Sequence, residues 1–184
     1  MSARLNRRDP GGTRATAADL LLLECVGRPA GAFSSRHAER FMERSRAMVQ
    51  RRLRTLFDLG LLQVHLPHED RARPNWYTLT NRARTRLAEV FAREPESYPV
   101  RRSLPRQLAH HSVTLDHFID LALATTRMEL EVQRLTIPRP ARRAGVVVPD
   151  VLVDVAVRGA RRRLAVEVDI PHPAAVWSAQ VVLE

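Results

Sequence analysis

Lysine is absent from this 184-residue chain, so all 30 basic residues are arginines. The single cysteine, Cys25, excludes an internal disulfide and suits a reducing compartment. Aromatic residues form only 5% of the chain, too few for a platform that stacks single-stranded bases. No apolar run approaches the roughly 20 residues of a membrane span, and Asp19 and Glu24 bracket the leucine run at 20–23, unlike a signal peptide. We therefore expect a cytoplasmic protein without a membrane partner.

Positive charge is concentrated in the first half of the chain. Residues 1–92 contain 17 arginines against nine acidic residues, whereas residues 93–184 contain 13 against 11. Because arginine content alone can reflect codon usage in a GC-rich genome, the position of the charge is the stronger argument. The asymmetry indicates two unlike modules, of which the first faces an anionic partner.

Residues 1–60 combine a basic segment with three helical patterns. Residues 1–15 contain Pro10-Gly11-Gly12 and no apolar periodicity, which predicts a flexible basic arm. Caps and stops then predict helices at 16–26, where Gly27 and Pro29 end the pattern, at 34–41 and at 45–59. In the third helix the apolar residues recur at helical spacing, at Val49, Leu53, Leu56 and Phe57. Gly60 follows where a left-handed C-cap is wanted.

A hairpin pattern follows the third helix. Residues 61–66 and 75–80 read as strands, joined by a polar loop, and a further helix is expected to end at residue 92. Three short helices followed by a two-stranded hairpin are the order of a winged helix-turn-helix. We therefore predict a winged-helix DNA-binding domain over residues 16–92.

The third helix carries most of the candidate DNA-binding residues on the side away from its apolar stripe. An α-helix fits the major groove, where arginine and glutamine can pair with guanine or adenine edges. Arginines in the hairpin loop would contact the phosphate backbone or enter the minor groove. The candidates for binding double-stranded DNA are Arg46, Gln50, Arg51, Arg54, Arg71 and Arg73. The alternative interpretation is an arginine-rich face that only contacts solvent.

The second half of the chain changes in character. Residues 93–102, with Pro95 and Pro99, predict a linker. Residues 103–184 then predict a small α/β module, with a helix at 104–126, strands at 128–135, 146–157 and 164–169, and a final helix at 173–184. The predicted fold class of the whole chain is therefore α+β.

Several short motifs, taken in order, resemble the plasmid replication-relaxation family. They are Leu108-x-His110 with Val113 and Asp116, the Pro149-Asp150 step, and Glu167-Val168-Asp169 followed by Trp177. With the winged helix, the resemblance spans about residues 17–180. It implies a DNA-binding winged helix joined to a degenerate PD-(D/E)XK-like module of the restriction-endonuclease type. It also implies a role on plasmid or mobile-element DNA, without a defined catalytic activity.

A metal-dependent nuclease or nickase is the enzymatic alternative. Asp150 and Glu167, at the ends of two predicted strands, could ligate Mg²⁺, with Asp169 as a third ligand. Asp169 stands at the E-x-K position where that fold commonly has a lysine, and arginine stays protonated, so it cannot act as a general base. We therefore expect a protein without catalysis and without a cofactor, Mg²⁺ being needed only if the nuclease alternative holds.

The resembling family continues beyond the position of Glu184, so we expect the second module to be incomplete. An open sheet edge often pairs with another chain. We expect either a homodimer through residues 103–184 or a truncated gene product whose second module folds poorly. A third alternative for the whole chain is a winged-helix transcriptional regulator whose second module binds an effector.

Overall fold

The computed structural model describes residues 6–9, 11–66, 74–127, 131–136, 151–157, 160–166 and 181–183. The chain divides into two compact units, Met1–Arg106 and Gln107–Glu184. Helices and antiparallel sheets occur together in the described residues, so the predicted α+β class is confirmed.

The first helix, α1 (Ala17–Leu22), begins with a capping box. The hydroxyl of Thr16 accepts a hydrogen bond from the backbone N–H of Asp19 at 3.3 Å. The Asp19 carboxylate in turn accepts from the backbone N–H of Thr16 at 2.7 Å. Two backbone donors that a helix start would otherwise leave unpaired are thereby satisfied.

The helical path continues beyond the predicted stop at Gly27. A π-helical segment (Leu23–Gly27) leads into α2 (Arg28–Ala30), and the left-handed residue that ends the path is Gly31. The expected end near residue 26 is therefore wrong. Pro29 does not end the helix because the wider π turn before it changes which N–H and C=O groups pair, so a residue without an N–H is tolerated.

A three-stranded antiparallel sheet lies in the first unit, in the order β1 (Ala32–Ser34), β3 (Trp76–Leu79), β2 (Leu62–His65). Strands β2 and β3 agree with the predicted hairpin strands and pair in register from Leu62 opposite Leu79 to His65 opposite Trp76. Strand β1 was not predicted, because three residues are too few to show an alternating pattern. The predicted loop at 67–73 lies outside the described residues.

Three further helices of the first unit agree in position with the predicted helices: α3 (Ser35–Met42), α4 (Arg46–Asp58) and α5 (Asn81–Phe91). The apolar stripe of α4 is buried, with Val49, Leu53 and Leu56 fully inaccessible to solvent. Gly60 follows α4 with a φ of 73°, the conformation predicted for it. One side of α4 thus anchors the helix in the core and the other side remains for function.

The segment predicted as a linker, 93–102, contributes to the core. Tyr98 is among the largest fully buried side chains, and its hydroxyl donates to the Glu24 carboxylate at 2.7 Å. The other carboxylate oxygen of Glu24 pairs with Arg28 at 2.9 Å and Arg93 at 2.8 Å. The proline content of this segment therefore reflects its irregular backbone, and its buried tyrosine ties it to the π-helical segment.

The second unit contains α6 (Leu108–Arg127) and four strands: β4 (Glu131–Thr136), β5 (Val151–Val157), β6 (Ala160–Val166) and β7 (Val181–Leu183). They form a sheet in the order β4-β5-β6-β7, and each described pair is antiparallel. Leu115, Phe118 and Ile119 of α6 are buried, so one side of this helix packs in a core.

The predicted C-terminal helix is wrong at residues 181–183, which form β7. This strand pairs with β6, Val181 opposite Val166 and Leu183 opposite Leu164. The free edge of β6 offers hydrogen-bond partners that an isolated sequence does not reveal, and valine favours strand over helix. Residues 173–180 of the same prediction lie outside the described residues.

Candidate nucleic-acid interface

The N-terminal half of α4 presents an exposed surface, which we call the α4 face. Arg46, Ala47, Met48 and Arg51 are exposed and Gln50 is half-buried. Met48 keeps 46% of its surface accessible, an unusual exposure for a large apolar residue. Because Val49 and Leu53 fix the opposite side of the helix in the core, the α4 face has a defined direction.

Arg46 and Arg51 are the arginines of the predicted set that remain available on this face. The Arg46 side chain is 80% exposed, and its Nε lies 4.0 Å from Glu39 Oε1, the outer limit of an ion pair. An exposed pair at this distance contributes little to stability and leaves the guanidinium free to exchange partners. Both arginines can therefore offer donors to a ligand on the α4 face.

Arg54 occupies a different environment from Arg51. Its Nε donates to Asp58 Oδ2 at 2.9 Å and a terminal nitrogen donates to the carbonyl of Asn6 at 2.7 Å. The guanidinium also lies 5.3 Å from the ring centroid of Phe57. Arg54, predicted to contact DNA, is thus part of an intramolecular network in this structure.

Asn6 belongs to a basic N-terminal segment, residues 6–9, that lies along the end of α4. Arg7 Nε donates to the carbonyl of Phe57 at 3.0 Å, and the backbone N–H of Arg8 donates to Asp58 Oδ1 at 3.0 Å. The sequence predicted a flexible arm for residues 1–15, and these bonds give residues 6–9 a definite position. The C-terminal half of α4 is consequently covered while its N-terminal half is open.

Arg52 has a structural position on the flank of α4. Its guanidinium forms an ion pair with both carboxylate oxygens of Asp19, whose side chain is fully buried. Burial alone would raise the pKa of Asp19, but the hydrogen bonds from Arg52 and Thr16 outweigh it, so the pKa lies below its usual range. This ion pair fixes the rotation of α4 about its helix axis relative to α1.

The start of α3 is tied to the sheet through His37. This buried residue stands at the third position of the helix, where its Nδ1 accepts from the backbone N–H of Ser34 at 3.0 Å. Its ring packs edge-on against Trp76 of β3, with centroids 5.4 Å apart. Sequence reasoning missed this contact, because histidine replaces the usual Glu or Gln of a capping box. The helix pair α3 and α4 is therefore anchored to the hairpin strands.

Several predicted site residues lie outside the described residues: Arg71, Arg73, Asp150, Glu167 and Asp169. The described β5–β6 ladder ends at the pair Val151 and Val166, the sequence neighbours of Asp150 and Glu167. Within the described ranges, no group of three or more His, Cys, Asp or Glu side chains could hold a metal ion. The contacts of the proposed nuclease carboxylates are thus not part of the described geometry.

Within the part of the chain that the structure describes, no helix has both the length and the apolar character needed to cross a membrane. In comparisons with known proteins, the chain matches no protein-family model, no curated protein and no solved structure.

Proposed function

We propose that this protein binds double-stranded DNA through a winged helix-turn-helix over residues 16–92, with the α4 face in the major groove. The observation that carries this proposal is the open arginine surface on a helix whose other side is fully buried. A helix held rigidly by its core side can enter the groove without losing its own order. Arginine and glutamine at its exposed positions offer the paired donors and acceptors that base edges require.

The N-terminal half of α4 is the part that we assign to base contacts. Recognition helices of this class place their N-terminal residues against the bases. Arg51 is proposed to read a guanine edge and Gln50 an adenine edge, while the exposed Ala47 and Met48 suit contact with a thymine methyl group. Arg46, near the start of the helix, is proposed to contact a phosphate.

The hairpin loop completes the proposed interface. Arg71 and Arg73 lie between β2 and β3 in the sequence, where a wing would contact the phosphate backbone. The excess of 17 arginines over nine acidic residues in residues 1–92 supports an anionic partner for this module.

The biological setting is proposed from the sequence resemblance. By analogy with the replication-relaxation family, the protein acts in the cytoplasm on plasmid or mobile-element DNA, without catalysis. Residues 103–184, the proposed degenerate PD-(D/E)XK-like module, are assigned the role of pairing two copies of the chain. A dimer would present two α4 faces to one duplex. Once one face is bound, the second is held at a high effective concentration near the DNA, which raises the overall affinity.

The test is a titration of fluorescently labelled duplex with the full chain at several salt concentrations, read by anisotropy. We expect the logarithm of the binding constant to fall linearly with the logarithm of the salt concentration, because phosphate contacts release counterions. Arg51→Ala is expected to lose about 1–3 kcal/mol of binding free energy and to relax the preference for particular bases. Arg73→Ala should lower the affinity for all duplex sequences alike and reduce the slope of the salt dependence by about one. Arg102→Ala, an exposed arginine outside the α4 face, is the matched control.

The absence of salt-sensitive duplex binding at low ionic strength would overturn the proposal. Incubation of supercoiled plasmid with the protein and Mg²⁺ or Mn²⁺ separates it from the nuclease alternative, and we expect no cleavage. Mapping the bound sites separates an origin-like function from that of a transcriptional regulator, which would bind at promoters.

A further inference from the structure

A cavity of about 520 Å³ lies within the first unit, apart from the α4 face. It is an open cleft lined by residues 11–15, Leu20 of α1, the turn that follows α4, and two arginines of α5. Its main side chains, which define what we call the arginine cleft, are Leu20, Leu59, Leu61, Arg14, Arg82 and Arg86. The volume falls in the range of roughly 300–1,000 Å³ that small-molecule sites occupy.

Acidic side chains offset little of the positive charge of the arginine cleft. Arg86 lies 3.5 Å from Glu89, an exposed pair of little energetic weight. Within residues 6–9, 11–66 and 74–127, Arg14 and Arg82 have no acidic partner at ion-pair distance, and no acidic residue lines the cleft. Three guanidinium groups around one cavity favour an anion, because each can donate two parallel hydrogen bonds to a carboxylate or phosphate.

The remaining wall of the cleft is apolar. Leu61 is 5% exposed and forms part of the core beneath the cavity, while Leu20 and Leu59 are half-buried at its side. Such a surface is unsuited to an inorganic anion alone, since it would leave the leucines in contact with water. It suits a ligand with an apolar body that covers them.

The position of the cleft separates it from the α4 face. Arg46, Gln50 and Arg51 do not line it, and its arginines lie on α5 and before α1. A duplex bound at the α4 face therefore need not place a phosphate in the arginine cleft.

We propose that the arginine cleft binds a small amphipathic anion, an organic carboxylate or phosphate ester whose apolar part covers Leu20, Leu59 and Leu61. Arg14, Arg82 and Arg86 hold the anionic group. The site acts independently of DNA binding, so its test contains no DNA in the first instance.

The experiment is a titration of the full chain with the fluorescent probe anilinonaphthalene sulfonate, followed by competition. Octyl phosphate and octanoate carry both the anionic group and the apolar chain of the proposed ligand. Inorganic phosphate carries only the anionic group, and octanol only the apolar chain. The octyl anions are expected to displace the probe at concentrations about tenfold lower than either single-feature compound. The stronger of the two octyl anions identifies the anionic group. Failure of the probe to bind, or equal competition by inorganic phosphate, would contradict the proposal.

Variants locate the site. Arg82→Gln removes one charge from an exposed position and is expected to weaken octyl-anion competition about tenfold, with a larger loss in Arg14→Gln/Arg82→Gln. Arg102→Gln is the matched control, an exposed arginine of the same unit that does not line the cleft, and should leave competition unchanged. Circular dichroism checks that each variant folds. Unchanged competition in the folded double variant, or displacement of the probe by duplex DNA as effectively as by the octyl anions, would overturn the assignment.

Discussion

Asp19 and Arg52 form an ion pair that joins α1 to α4 across 33 positions of the sequence. The Asp19 side chain is fully buried and the Arg52 side chain keeps 21% of its surface exposed. Because Thr16 also donates to this carboxylate through its backbone N–H and its hydroxyl, a single buried charge has partners from a helix cap and from the proposed DNA-reading helix. The orientation of the α4 face therefore depends on a pair that is not itself part of that face.

Removing one member of this pair should destabilise the protein. Arg52→Met leaves a buried carboxylate without its main partner, and we expect a loss of about 3 kcal/mol in the free energy of unfolding. Urea denaturation followed by circular dichroism measures it. Arg46→Met, on the exposed side of the same helix, is the control and should change stability by less than about 0.5 kcal/mol. Equal losses in both variants would show that the pair has no special role.

Acid should weaken the fold through the same carboxylate. Hydrogen bonds from arginine outweigh the opposing effect of burial and hold the pKa of both Asp19 and Asp58 below the usual range. The resulting stabilisation is fully present above the ordinary aspartate pKa of about 4 and is lost as pH falls through the folded values. Urea midpoints measured between neutral pH and pH 3 test this. Asp19→Asn should flatten the decline, whereas the exposed Glu96→Gln should not.

Arg54 and Arg51 should separate stability from DNA recognition. Arg54 donates to Asp58 and to the carbonyl of Asn6, so Arg54→Ala is expected to lower stability by about 1–2 kcal/mol while preserving the ranking of duplex sequences. Arg51→Ala is expected to leave stability unchanged and to alter the ranking of duplex sequences. Thermal unfolding and anisotropy on the same samples compare the two. A changed sequence ranking in Arg54→Ala would place Arg54 in the groove.

Tyr98 should behave as a core residue. Tyr98→Phe removes the hydroxyl that donates to Glu24 and is expected to cost about 1–2 kcal/mol, since the carboxylate keeps Arg28 and Arg93. Tyr98→Ala also leaves a cavity and should cost about 3–5 kcal/mol. Denaturant unfolding distinguishes these values from the near-zero effect that a solvated linker would give.

Two left-handed glycines should differ in their tolerance of a side chain. Gly60→Ala forces an alanine into the left-handed conformation at a φ of 73°, while its Cβ would lie in ordinary contact, 3.7 Å from Arg82 Cδ. We therefore expect a loss of about 1 kcal/mol in the free energy of unfolding. Gly31→Ala has the same backbone penalty and brings its Cβ within 3.2 Å of Pro99 Cγ, a rigid ring. The second variant should therefore have the lower melting temperature, and the opposite order would contradict the described packing around Gly31.

The elements that the sequence predicted are those whose signals are local. The four-residue spacing of Val49 and Leu53 and the Gly60 that follows lie within one stretch, and together they specify α4. Ser45 precedes the helix without a side-chain capping hydrogen bond. Polar caps and apolar periodicity act between neighbours along the chain, so they can be read without the fold.

The elements that were missed depend on contacts between distant residues. β1 exists because Phe33 pairs with Tyr77 of β3, and β7 because Val181 pairs with Val166. In the candidate site, the helical wheel of α4 indicates which arginines leave the core. It does not indicate that residues 6–9, almost fifty positions away, engage Arg54, because no pattern within the helix records that contact.

Ser34 ends β1 opposite Trp76 and also caps α3, so the sheet and that helix share a residue. Only residues 59–61 separate α4 from β2, so the fold leaves little freedom to change the spacing between the hairpin and α4 to suit a target. If DNA is the target, the duplex has to make the adjustment, and its bending energy differs from one base step to another. Flexible pyrimidine–purine steps should then be preferred over stiff A-tracts even at positions that no side chain touches.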